Sequence, residues 1–206
     1  MRDDVEWVMM ECDNMPSVVE SITAELRRYK ALAEGALSQV PADELAAPGP
    51  GGGNSIATIC RHVGGNLRSR FTDFLTSDGE KPWRNREQEF APRPVTMDEL
   101  LSHWESGWTV LFESLAALSD ADLSRTVTIR GQPLRVDEAL HRSLAHISYH
   151  VGQIVYAARA LRGPSWRFLS IPPGRSDSFN SSPHLQQPAD HAAWVRHTSE
   201  TPGTDR

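Results

Sequence analysis

Apolar residues recur at helical spacing along four stretches of the chain. From Ser17 to about Val40, Val18, Ile22, Leu26 and Leu32 fall on one face. Ser17 with Glu20 three residues on fits a capping box at the start of this helix. Pro41 and "APGPGGG" (47–53) break the chain. The glycine-rich lead lacks the lysine of a phosphate loop and reads as a linker. A second helix, "SIATICRHVGGNLRSRFTDFL", runs from a cap at Asn54 or Ser55 to near Leu75. Its Gly64-Gly65 pair costs about 1 kcal/mol per glycine relative to alanine. Either a close helix contact or space beside His62 would account for it. Residues 76–95 carry three prolines and no periodicity, so they read as a long crossover loop. A third helix spans Thr96 to about Leu118. Its Trp104, Trp108 and Phe112 form an i, i+4, i+8 stripe, which reads as core, with lining a pocket as the other reading. Thr126–Arg130 and Pro133–Arg135 around Gly131-Gln132 predict a small hairpin. A fourth helix runs from about Val136 to Leu161 and stops at "RGP".

No sheet is large enough to build a core, so this order of elements predicts an all-α four-helix bundle. Residues 165–180 are apolar enough to pack on it. We expect an N-terminal extension over 1–16, one domain over 17–180, and a disordered Pro-, His- and Ser-rich tail over 181–206.

Composition narrows the function. The net charge is −6 with no Lys/Arg block, which argues against nucleic-acid binding. No run of about 18 apolar residues occurs, so no membrane span is expected. The acidic start lacks an apolar leader, and the two cysteines, Cys12 and Cys60, form no CxxC. These features point to reduced thiols in a cytoplasmic protein.

The chemistry concentrates in "HISYHVGQIV" (146–155). Residues four apart on a helix point within about 40° of each other, so His146 and His150 can reach one ion. They can equally be core histidines satisfied by hydrogen bonds. His62, about two turns into the second helix, supplies a third imidazole. Three histidines leave a fourth metal position for water or substrate, the pattern of catalytic rather than structural sites. His103 sits beside the tryptophan stripe, and His141 faces elsewhere. His184, His191 and His197 fall in the tail, where exposure is expected. Near the ligand faces, Asn66 and Gln153 are either second-layer or substrate-bonding amides, or ordinary buried amides bonded to backbone. Tyr149 either reaches a substrate or sits half-buried at an interface. Cys60 faces away from His62 and is neither ligand nor nucleophile.

The stretches "NSIATICRHVGGNLRSRFTDFLTSDGEKPWRNREQEF" (54–90), "LAHISYHVGQIVYAAR" (144–159) and "LSIPPGRSDSFN" (169–180) resemble the DinB/YfiT-like superfamily. They are closest to a branch of bacterial proteins with this loop and tail. The resemblance covers about residues 17–180, and "DGEKPWRNR" (78–86) is its most specific motif. It implies an up-down-down-up four-helix bundle, often a homodimer. It also implies a divalent ion, zinc or nickel, on His62, His146 and His150. Relatives act as transferases or isomerases with bacillithiol or mycothiol, and others are described as metal-dependent hydrolases.

Three functions follow as expectations. The first is a metal-dependent transferase that moves a low-molecular-weight thiol onto a small electrophile. Having no usable protein cysteine fits a nucleophile borrowed from a cosubstrate. The second is a hydrolase using metal-activated water, which wants a nearby carboxylate base. Ile147, not Glu, follows His146, which weakens it. The third is a non-enzymatic metal-binding bundle. The loop residues Trp83, Arg84 and Arg86 are expected to cover the pocket and clamp an anionic substrate group. The other reading of the loop is a crossing or a dimer interface.

Overall fold

The computed structural model describes residues 16–181 and 183–200, and over these the chain is mostly helical with one two-stranded antiparallel hairpin. The long helices are α1 (Val18–Leu37), α2 (Ile56–Phe71), α4 (Met97–Ala116) and α5 (Val136–Arg162). A short α3 (Arg86–Phe90) interrupts the crossover loop. Strands β1 (Thr126–Ile129) and β2 (Gln132–Arg135) form the hairpin. Helices α6 (Ser176–Asn180) and α7 (Pro188–Glu200) close the chain. None of the described helices is long and apolar enough to cross a membrane. Most of the expected N-terminal extension, Cys12 included, lies outside the described residues.

The helix starts follow local chemistry. Ser17 and Glu20 form the expected capping box, and Ser55, Asn85 and Thr96 each accept a first-turn amide of their helix. One cap is not local. The Asp120 carboxylate, far along the chain, accepts the Val18 and Val19 amides at 2.9 and 3.0 Å. It thereby ties the start of α1 to the loop after α4.

Helix α2 packs against α4 and α5, and α1 packs against α5 and α7. One hydrophobic core runs through all of them. Trp104 and Trp108 lie in it fully buried, as the stripe suggested. Truncating a buried aromatic of this size typically costs about 3–5 kcal/mol. Trp108 and the half-buried Phe112 also line a cavity of about 440 Å³ between α1, α4 and α7, so both readings of the stripe apply.

The two glycines of α2 serve different ends. A Cβ on Gly64 would lie 2.9 Å from the His103 backbone oxygen, and one on Gly107 would lie 2.6 Å from the Gly64 oxygen. Gly64 and Gly107 therefore let α2 and α4 approach closely. Gly65 faces the loop instead, where a Cβ would lie 2.3 Å from the Glu89 carboxylate.

Four expectations need correction. Helix α2 ends at Phe71, not near Leu75, because Thr72 turns extended (ψ 124°) and Asp73 then takes a left-handed conformation (φ 48°), neither of which a helix can contain. The hairpin turns at Arg130-Gly131 (φ 55° and 72°), one residue earlier than predicted. A two-residue turn with both φ positive matches strand twist, and Asp78 holds it by accepting both turn amides at 2.8 Å. The loop is not structureless. Gly79 donates to the Thr128 carbonyl at 2.8 Å, Ser69 donates to Gly79 at 2.8 Å, and Lys81 is buried. Finally, α7 occupies the tail expected to be disordered. Its Ala192 and Val195 are buried against α1, and His191, expected to be exposed, is buried with its Nε2 donating to the Leu169 carbonyl at 2.9 Å. Two small apolar anchors leave little periodicity to read in a Pro- and His-rich segment, and the α1 surface supplies the rest of the burial.

Candidate metal centre

Helices α2 and α5 pack together and bring the three predicted histidines to one place. His62 is buried on α2, and His146 and His150 are half-buried one turn apart on α5. Their ring centroids lie 5.3 Å (62–146), 4.8 Å (62–150) and 4.6 Å (146–150) apart. One nitrogen from each lies within 4.8 Å of the others, so this set could hold a metal ion.

Hydrogen bonds decide which nitrogens face inward. His62 Nδ1 donates to Glu89 Oε2 at 2.9 Å, leaving the Nε2 lone pair turned toward His146 Nε2, 3.3 Å away. Two nitrogens about 2.0–2.1 Å from one tetrahedral ion stand about 3.4 Å apart, so this pair fits a shared zinc-like ion. His150 Nδ1 donates to Gln153 Oε1 at 2.8 Å, which leaves its Nε2 free. Gln153 thus orients a histidine rather than acting as an amide bonded to backbone.

Glu89 is the residue that sequence reasoning missed. It sits on the five-residue α3, inside a loop without periodicity, and no local pattern marks it. In the fold it is buried and gripped by a two-pronged ion pair, Arg84 Nε to Oε1 at 2.8 Å and a second Arg84 nitrogen to Oε2 at 2.9 Å. The Arg84 side chain is only 2% exposed. Burial opposes the Glu89 charge, but the hydrogen bonds from His62 and Arg84 and the Arg84 charge prevail. They hold the carboxyl below its ordinary range. An anionic acceptor behind a ligand histidine fixes its tautomer and raises its basicity. The space for that acceptor is made by Gly65, the one sequence signal that pointed there.

The electrostatics favour the neutral form of His146 and His150. Burial, then the neighbouring His150 and His62, lower the His146 pKa to about 4. Burial also lowers that of His150, against the Gln153 hydrogen bond. Neutral imidazole is the form that binds metal.

The other candidates divide. Two of the three guanidinium nitrogens of Arg84 are committed to Glu89 inside the protein, so its fork is not offered to a substrate at the histidines. Arg86 is half-exposed, with its guanidinium 4.8 Å above the Phe90 ring, and that ring lies 4.9 Å from His62. Trp83 is 50% exposed with Arg68 stacked 4.9 Å over it, on a groove that none of the three histidines lines. Asn66 is half-buried, one turn after His62, and its amide has no partner among the described residues. Tyr149 is exposed, its ring 5.0 Å from that of His150. His103 donates to the Arg61 carbonyl at 3.0 Å and stays out of the cluster. Cys60 is fully buried, and burial pushes its thiol pKa far up, so it is no nucleophile.

A family model described as "Protein of unknown function (DUF1572)" matches residues 14–175, more than half of the chain. No curated protein and no solved structure gives a match.

Proposed function

The chain belongs to the DUF1572 family, and from this premise and its histidine cluster we propose a divalent-metal enzyme that transfers a low-molecular-weight thiol to a small electrophile. The observation that carries the reading is three imidazoles converging from two helices, one of them braced by a buried carboxylate. The reading takes α1, α2, α4 and α5 as a DinB-like four-helix bundle in up-down-down-up order. In its support, ligands on facing helices and a common core are how bundles build metal sites. Zinc or nickel suits an all-imidazole donor set.

A divalent ion on His62, His146 and His150 would supply Lewis acidity that favours the thiolate over the thiol. The protein's own groups do the rest. Glu89 and Gln153 hold two imidazoles in their ligating orientation. Phe90 covers one side of His62 and limits water there. Arg86, half-exposed above Phe90, is placed to receive an anionic group of thiol or electrophile. Asn66 and Tyr149 are the groups we assign to hydrogen-bonding the electrophile. The sulfur forms the new bond to the electrophilic carbon, the thiol proton is released, and the carbon's leaving group departs with its electron pair.

Two observations favour transfer over hydrolysis. Cys60, the one cysteine among the described residues, is too deeply buried to act, which fits a thiol nucleophile brought in by a cosubstrate. The carboxylate next to the cluster, Glu89, is consumed by Arg84 and His62 and is not a free base for water. The test is metal analysis of the purified protein, then a screen of electrophiles with and without bacillithiol, mycothiol and related thiols. Turnover that requires thiol and is lost in His150→Ala supports the proposal. Turnover without thiol supports the hydrolase instead. Stoichiometric metal with no turnover leaves a non-enzymatic metal-binding protein.

A further inference from the structure

A second site lies across Glu89 from the histidines. The crossover loop, α2 and α4 enclose a groove of about 870 Å³, within the range typical of small-molecule sites. Its charged walls are Arg61, Arg68, Arg84 and Arg93 against Glu89 and Glu99, a net of two positive charges in a chain of net −6. Both glutamates are already engaged, Glu89 with Arg84 and Glu99 with Arg93.

The arginines are not all satisfied. Arg61 is buried, 5% exposed, with its other guanidinium nitrogens on the Thr58 hydroxyl and the Glu89 and Ala91 carbonyls. Its NH1 has no acceptor among the described residues, and neither has NH1 of the buried Arg84 side chain. Buried cationic donors are ordinarily paired, and two orphans on residues lining one groove call for an acceptor brought into it. At the rim, the exposed Arg68 has no carboxylate partner among the described residues and lies over the half-exposed Trp83. Burial and the Arg93 charge both disfavour the Arg61 cation, so an anion brought in would relieve two adverse effects at once.

We propose that this groove binds a small oxyanion, phosphate or carboxylate, carried on an aromatic or apolar body. The oxyanion lies toward the unpartnered NH1 atoms of Arg61 and Arg84, each a charge-assisted N–H donor. The body lies against Trp83. Both NH1 atoms sit beneath the groove surface, so seating the oxyanion needs a small outward turn of at least one guanidinium, whereas Arg68 needs none. The site stands independently of the metal reading, since none of the three histidines lines it.

The experiment is calorimetric titration of the protein with phenyl phosphate, benzoate, inorganic phosphate and phenol. It is run in Tris chloride with neutral phenanthroline, so that no metal offers a rival anion site. Phenyl phosphate or benzoate should bind saturably at one site, at least tenfold more tightly than phenol, and whichever binds more tightly identifies the oxyanion. Arg61→Gln should weaken this at least tenfold and the double variant Arg68→Gln/Arg93→Gln at least fivefold. Arg135→Gln, outside the groove, should not change it. If Arg61→Gln does not fold, the rim double variant decides. No saturable binding of either aromatic oxyanion, or affinity unchanged in the folded groove variants, overturns the proposal.

Discussion

Replacing Glu89 tests both what holds the loop in place and what orients His62. Glu89→Leu removes the acceptor of a guanidinium that is only 2% exposed, and its own side chain is 9% exposed, so solvent cannot take over the contact. Removing one partner of a pair this deeply buried costs about 3–5 kcal/mol, because an uncompensated charge is left behind. Arg84→Met leaves the carboxylate with His62 as a remaining donor, so its cost should fall at the low end of about 3–5 kcal/mol. In Arg84→Met/Glu89→Leu neither charge remains. Apolar replacement of a buried pair is often neutral, so the double variant should regain most of the loss. Zinc affinity should separate differently. Both variants lacking Glu89 lose the acceptor on His62 Nδ1 and should bind zinc about 10–100-fold more weakly, whereas Arg84→Met keeps that bond. The assays are urea unfolding of metal-free protein and zinc competition against a chelating dye. Glu89→Leu unfolding within about 1 kcal/mol of wild type would refute the buried-pair argument, given the magnitude expected above. Unchanged zinc affinity in the double variant would show that Glu89 does not orient His62.

Gly65→Ala would drive a Cβ to 2.3 Å from the Glu89 carboxylate and should cost about 1–3 kcal/mol as overpacking. Gly152→Ala on α5, where a Cβ meets nothing within 4 Å, should be neutral or stabilise by about 0.5–1 kcal/mol; paired urea titrations check the contrast. His150→Ala should abolish zinc binding yet keep the helical circular dichroism, because the core, not the cluster, supports α5; collapse at room temperature would make the site structural. In metal-free protein the folded-state His146 pKa is lowered from 6.5 to about 4, so the unfolded chain binds the extra proton between these values. This contribution to stability is therefore present above pH 6.5 and lost as pH falls toward 4. An NMR titration of the His146 ring with a midpoint at or above 6.5 would overturn it.

What the sequence determines by itself is what neighbours in the chain can signal. Caps such as Ser17 with Glu20, and the stripe Trp104–Trp108–Phe112, mark the long helices because backbone bonding and burial repeat every turn. The spacing of His146 and His150 puts two imidazoles on one face for the same reason, and His62 could be named as their partner because it too lies on an apolar helix. Its link to them, the brace behind it and the groove beyond were decided only by the tertiary structure. Glu89 lies 27 positions from His62 on a helix of five residues, too short for any period to show. Arg84 looked like a free cation because a sequence carries no record of burial, and only the packed loop reveals that its fork is paired with Glu89. Helix α7 follows the same rule. Ala192 and Val195 are too sparse to predict a helix, and they become an apolar face only when α1 is there to receive them, since burial is a property of two surfaces together.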